Sequence, residues 1–300
     1  MAMIHTSWKS EYPFEGRWFT TPGGHRMHYL DEGPVSPSDP VATLCVHGNP
    51  TWSFHWRALV SASRSSRRIL APDHIGMGLS DKPRATDYPY RLRNRIDDLE
   101  ALWRHAGEPV FDLVAHDWGG AIGMGLALRH PEKVRRITLL NTAAYTDPCI
   151  PRRIAVCRLG WIGRFIVRGL NGFALPAVRL ASAQPGGLRG AAREGLLHPY
   201  DSWENRVAVH EFVRDIPMSP KHPSWDELQA IGDGLAAFGK GRRIQLLWGS
   251  RDFCFHEHFL WRFLEYWPHA QVERLPDVGH YVMEDAPAEA CRRILSFQQA

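Results

Sequence analysis

Val114-Ala115-His116-Asp117-Trp118-Gly119-Gly120 is the stretch on which the reading of this chain turns. An apolar run containing Val110, Phe111, Leu113 and Val114 leads into it, and a glycine- and alanine-rich segment suited to a helix leads out. Strand, small-residue turn and helix, in that order, set the apex residue on a sharp corner at the strand end. Here the apex is an aspartate. A carboxylate attacks an electrophile and leaves water to hydrolyse the adduct, whereas a serine would form an ester through its own oxygen. Aspartate is also a common N-cap of an ordinary helix, so the heptapeptide by itself leaves both readings open.

On either side of this corner, strand and helix signals alternate. Arg17 to Thr20 and His25 to Leu30 read as a hairpin around Pro22-Gly23-Gly24. Val41 to Val46 and Arg68 to Ala71 read as buried strands, Asn94 to His105 as a helix, and Val134 to Leu140 as a further strand. The rhythm returns with a strand at Ile244 to Trp248, a helix over about 256–267, a strand from Ala270 to Leu275 and a helix from Ala286 to Phe297. Such alternation predicts an α/β fold, a doubly wound and mostly parallel sheet. Between 143 and 238 it fails: Arg152 to Leu170 reads as one basic amphipathic helix, followed by proline-punctuated loops. The expected organisation is a core domain of residues 1–142 and 239–300 carrying a helical cap domain of residues 143–238.

Composition narrows the function classes. At 300 residues with 44% hydrophobic and 23% charged residues, the chain reads as an ordinary soluble globular protein. A formal charge of +4 without a basic, aromatic-interleaved motif gives no reason to expect nucleic acid. Five scattered cysteines with no C-x-x-C pair point to reduced thiols and a cytoplasmic location. Neither a secretory leader nor a membrane-spanning run is read. No cofactor is expected. His256-Glu257-His258 lacks the spacing of a zinc motif, so no metal site is expected either.

In an open parallel sheet, reactive groups gather beyond the carboxyl ends of the strands. Asp117, Asp252 and His280 each follow a strand, in the chain order nucleophile, acid, histidine. Backbone N–H groups at the helix start favour an ionised Asp117. His280, neutral at rest, would take a proton from water attacking the Asp117 adduct, with Asp252 holding the ring tautomer.

These residues resemble the haloalkane dehalogenase family of α/β-hydrolases over nearly the whole chain. The matching stretches are His47-Gly48-Asn49-Pro50-Thr51-Trp52-Ser53, the loop from Asp73 to Pro83, His116-Asp117-Trp118-Gly119-Gly120 and Gly279-His280. The resemblance implies that the Asn49 amide and Trp118 indole hold the departing anion, and that the backbone N–H groups of the same two residues form the oxyanion hole. Asn49 as a turn residue and Trp118 as a core aromatic remain the plainer alternatives. One dehalogenase group carries its acid after the strand ending Leu139-Leu140-Asn141; no carboxylate stands there, so the set is similar to the third subfamily, with Asp252 as the acid. Within it, Trp248 to Phe255 and His280 to Ala286 look most like the OleB-type β-lactone decarboxylases, which make cis-alkenes in bacterial olefin biosynthesis. That implies a thiolase, a reductase and a β-lactone synthetase as pathway partners.

The implied substrate is small and hydrophobic, a long-chain β-lactone or a haloalkane. Trp161, Phe165, Phe173, Trp203 and Phe212, with Leu170 and Leu175, are candidates to line its tunnel, or equally to fill the cap's own core. The arginines of the first cap helix, Arg152, Arg153, Arg158, Arg164 and Arg168, suit a membrane surface, a partner enzyme or plain solvation. Two rivals stay open: an epoxide hydrolase, with Tyr145 and Tyr200 as activating tyrosines, and a non-enzymatic receptor or scaffold, which would leave the triad unexplained.

Overall fold

The computed structural model describes residues 7–34 and 39–300. Its strands are β1 (Arg17–Thr20), β2 (Arg26–Glu32), β3 (Ala42–Val46), β4 (Ile69–Pro72), β5 (Phe111–Asp117), β6 (Val134–Thr142), β7 (Arg243–Gly249) and β8 (Gln271–Leu275). They form one sheet in the order β1-β2-β4-β3-β5-β6-β7-β8. The β1–β2 hairpin and the β2–β4 pair are antiparallel, and every later pairing is parallel. This is the expected α/β-hydrolase architecture, with β5 in the middle.

The middle strands are buried at every position and mostly apolar because both of their faces are covered, Thr43, Asp112 and His116 being polar exceptions before the terminal Asp117. Leu44, Val46, Leu113 and Ala115 pack into one cluster with Ile96 and Leu99 of α2 (Leu92–His105) and Met124 and Leu126 of α3 (Trp118–Arg129). Cys45 and Val114 point the other way, to Leu59 and Val60 of α1 (Arg57–Ser63) and Ile294 of the last helix (Pro287–Gln299). Two helical layers thus clamp the sheet, leaving its carboxyl edge for chemistry.

The intervening stretch departs from expectation. Arg152 to Leu170 is not one helix: α4 (Arg152–Cys157) stops, α5 (Gly160–Arg164) restarts, and a π-helical turn, Phe165–Gly169, follows. Gly160 has φ 30°, in the left-handed region that interrupts a helix. Short helices α6 (Ala174–Leu180), α7 (Gly190–Leu197) and α8 (Val207–Arg214) occupy much of what reads as loop. Pro176 falls in the first turn of α6, where its missing N–H costs nothing. The helix α9 (Trp225–Phe238), inside the stretch read as cap, packs against α2 and α3. Leu228, Ile231, Leu235 and Phe238 recur along its buried side at helical spacing.

Where α3 starts, it approaches β3 so closely that a Cβ on Gly119 would run into the Val46 carbonyl, and one on Gly120 into Thr142. Gly119→Ala should therefore lose about 1–3 kcal/mol of stability, because backbone rather than a flexible side chain has to yield. A denaturant midpoint equal to wild type would show that the corner has slack.

Candidate active site

Asp117 is the last residue of β5 and the N-cap of α3, with φ 53° and ψ −132°. Non-glycine residues rarely adopt such a conformation, and it persists where its surroundings over-determine it. Here the surroundings are tight. The Thr142 hydroxyl donates to the Asp117 carbonyl, and a Cβ on Gly48 would collide with the Asp117 carboxyl group. The backbone N–H of Asn49 donates to Asp117 Oδ1 at 2.6 Å, and the Trp118 N–H also bonds the carboxylate. Both donors come from the places read in the sequence. They do not win electrostatically: burial raises the Asp117 pKa, outweighing the lowering by His280 and the two N–H groups.

His280 stands between two carboxylates. Its Nδ1–H donates to Asp252 Oδ2 at 2.8 Å, and its Nε2 lies 3.6 Å from Asp117 Oδ2. Burial disfavours the imidazolium, but Asp252 and then Asp117 more than compensate, so its pKa is raised. A ring expected to rest neutral is thus pushed toward the protonated form by the negative charge on both sides. Phe255 stacks on the ring at 5.8 Å, and the His116 Nε2–H donates to the His280 carbonyl at 2.8 Å.

Other residues hold this set in place without carrying an obvious sequence signal. Asp252 Oδ1 accepts the Cys254 N–H at 2.6 Å, leaving Oδ2 for His280. Asn141 donates through Nδ2 to the Gly249 carbonyl at 3.0 Å. Its Oδ1 accepts the Gly249 N–H at 2.7 Å, locking the end of β7 from which the Asp252 loop departs. Asp285 accepts the N–H groups of Gly279 and Ala183, both at 2.8 Å, and so ties the His280 loop to the segment after α6.

Asp117 opens on a cavity of about 790 Å³, mouth included. Asn49 and Trp118 line it beside the carboxylate. The Asn49 amide donates to the Val209 carbonyl of α8 at 3.1 Å, which uses only one of its two N–H bonds. Behind the indole lies a buried cation: the Arg95 guanidinium sits 3.7 Å from the Phe212 ring centre and 5.7 Å from that of Trp118, and is paired with Asp215 at 2.9 Å.

Of the aromatic residues expected to line a tunnel, only Phe173 does. Phe212 is fully buried and packs against Trp118 from behind. Trp203 is covered by the guanidinium of Arg168 at 4.6 Å. Trp161 and Phe165 are 78% and 52% exposed, because the break at Gly160 turns them away from the cavity. The apolar walls come instead from Ile150, Pro151 and Ile154, from Val213, Ile216 and Leu228, and from Cys254, Phe255 and Phe259. The Phe253-Cys254-Phe255 run directly after Asp252 is the available signal for the last group; Ile150, Pro151 and Ile216 lie in proline-marked loops with no periodicity to read, and Ile154 and Val213 lie in helices too short to show one.

The remaining candidates are otherwise engaged. The Tyr145 hydroxyl donates to the Phe259 carbonyl at 2.8 Å and that of Tyr200 to the Thr51 carbonyl at 3.2 Å. His256 caps α10 (Glu257–Tyr266), and His258 lies 2.8 Å from Asp147.

Residues 42–157 match the family described as alpha/beta hydrolase fold. A cis-3-alkyl-4-alkyloxetan-2-one decarboxylase of Shewanella oneidensis is 42% identical over 95% of this chain and 88% of its own. The chain belongs to the α/β-hydrolase family, on its decarboxylase and haloalkane dehalogenase branch. The decarboxylase of the same name from Xanthomonas campestris is 40% identical over 91% of this chain and 92% of its own. The crystal structure of the haloalkane dehalogenase DbeA from Bradyrhizobium elkani superposes with a TM-score of 0.83 at 25% identity, covering 95% of this chain and 99% of that one.

Because Asp252 is the strongest influence raising the His280 pKa, Asp252→Asn should lower it. NMR titration of the imidazole signals would read this directly, and an unmoved or raised value would mean that the 2.8 Å pair is not what charges the ring.

Proposed function

We propose that this enzyme converts cis-3-alkyl-4-alkyloxetan-2-ones to cis-alkenes and carbon dioxide, with Asp117 as nucleophile, His280 and Asp252 completing the triad, and Asn49 and Trp118 holding the departing anion. The observation that carries the reading is a buried carboxylate, 3.6 Å from a histidine backed by a second carboxylate, opening on an apolar cavity. The choice of electrophile rests on the two decarboxylases, similar at 42% and 40%, against 29% to 31% for haloalkane dehalogenases over a similar length.

The steps balance without added water. Ionised Asp117 attacks the ring carbon bearing oxygen, the C–O bond breaks, and the released carboxylate is met by the free Asn49 N–H and the Trp118 indole N–H. Loss of carbon dioxide then sends the electron pair of the breaking C–C bond into the new double bond and expels Asp117 as a carboxylate. Inversion in the first step and anti departure in the second keep both alkyl groups cis. Protonated His280 stabilises the charge returning to Asp117, which fits its raised pKa. The apolar walls suit alkyl chains, and their burial supplies the binding energy.

Five free cysteines agree with a reducing, cytoplasmic setting. The enzymes that condense, reduce and lactonise the acyl chains are the pathway partners this reading implies.

The second reading, hydrolysis of haloalkanes, uses the same carboxylate and donors, with neutral His280 as base for water attack on the alkyl ester. Tyrosine activation of an epoxide is disfavoured, since the Tyr145 and Tyr200 hydroxyls are spent on carbonyls. Wild-type enzyme offered a cis-dialkyl β-lactone and a 1-bromoalkane should release cis-alkene rapidly and little bromide, and Asp117→Asn should slow alkene formation by about a thousandfold or more. Fast bromide release with a β-hydroxy acid as the lactone product would reverse the order of the two readings.

A further inference from the structure

The outer face of the stretch from α4 to the π-helical turn has a composition and exposure that the cavity chemistry does not use. Val156, Leu159, Trp161, Ile162, Phe165 and Leu170 are all large, apolar and between 41% and 78% exposed. Apolar residues scattered singly over a surface need no explanation, but six within fifteen positions do. Arg152 and Arg153 stand just before them and Arg164 among them, all exposed and without a salt bridge to any carboxylate among the described residues, Arg153 and Arg164 lying over the rings of Phe253 and Trp203. The charge bias is wider than this face: from Asp147 to Glu194 the chain has eight arginines and neither an acidic residue nor a lysine between those limits. A solvated basic face ordinarily carries polar or acidic neighbours, not a tryptophan at 78% exposure.

We infer that this face, Arg152 to Leu170, docks on an anionic lipid surface, its apolar side chains entering the headgroup region and its arginines meeting lipid phosphates. Interleaved arginine and tryptophan, phenylalanine or leucine is the pattern of segments that lie in a bilayer interface, where apolar area and attraction to anionic lipid add. Charge complementarity selects this occupant over a second copy of the chain, since two such faces would bring like charges together. No helix among the described residues is long and apolar enough to cross a membrane, so the contact is peripheral.

The position of the face gives the contact a use. α4 presents Arg152, Arg153 and Val156 outward, while Ile154 on its inner side lines the cavity with Ile150 and Pro151. One short helix therefore borders both the lipid-facing surface and the apolar cavity, and a water-insoluble molecule could pass between them without crossing bulk water. The docking itself does not depend on which electrophile Asp117 attacks.

The test uses the full chain in vesicle sedimentation, with phosphatidylcholine alone and with phosphatidylcholine containing a third phosphatidylglycerol. Binding should appear with the anionic vesicles and fall as salt is raised. Two independent variants, Trp161→Ser with Phe165→Ser and Arg152→Glu with Arg164→Glu, alter exposed side chains away from the cavity lining. Each should weaken binding about tenfold or more while the melting temperature stays as in wild type. Equal binding to neutral and anionic vesicles, no binding to either, or variants that bind like wild type would overturn the inference. So would light scattering showing that the same variants dissolve a dimer while vesicle binding persists, which would assign the face to a second copy. None of these outcomes bears on alkene or bromide release from soluble substrates, so the docking and the catalytic reading fail separately.

Discussion

The fit of a carboxylate into a corner that admits no other backbone path organises this molecule. Asp117 is held at positive φ by what surrounds it: Gly48 on one side, Gly119 against the Val46 carbonyl, Gly120 against Thr142 and the Asn49 N–H at 2.6 Å. Three of these neighbours are glycines because a Cβ at any of them would collide with Asp117, the Val46 carbonyl or Thr142. That crowding aims the carboxylate at the cavity rather than back along the strand, and it excludes the water that would otherwise solvate the charge. Burial raises the acid's pKa, and the same burial strengthens every interaction it makes with His280 and the N–H donors.

Around that corner the supports come in pairs. His280 is held through its side chain by Asp252 and through its carbonyl by His116. Its loop is held by Asp285, which also grips the segment after α6, so the covering helices and the histidine share one carboxylate. Trp118 is backed by Phe212, and Phe212 by the buried Arg95 guanidinium. The cation stacked on Phe212 is paired with buried Asp215, so the aromatic wall behind Trp118 is anchored by an ion pair as well as by packing.

The sheet and its site were legible because the signals there are local and redundant. β3 and β5 are buried at every position and mostly apolar since both faces are covered, and the three reactive residues fall at or just after strand ends because parallel topology puts all those ends on one edge. The covering helices were not legible for the opposite reason. They are five to eight residues long, too short for a period to show, and Gly160 breaks the one run that looked long. Reading Trp161 and Phe165 as tunnel walls followed from assuming that apolar residues face inward; the walls are built instead from loop residues such as Ile150, Pro151, Ile216 and Phe255. α9 carried a regular signal in Leu228, Ile231, Leu235 and Phe238 that the surrounding prolines obscured.

With its amide bonded to both the N–H and the carbonyl of Gly249, Asn141 serves as a structural rivet at the carboxyl end of β7. An aspartate or glutamate there would lose the donor to the Gly249 carbonyl and set a charge against it, while Asp252 still occupied the histidine. An amide can both give to and accept from the backbone of one residue in this way, as a carboxylate cannot, so the point from which the Asp252 loop leaves the sheet depends on a single uncharged side chain.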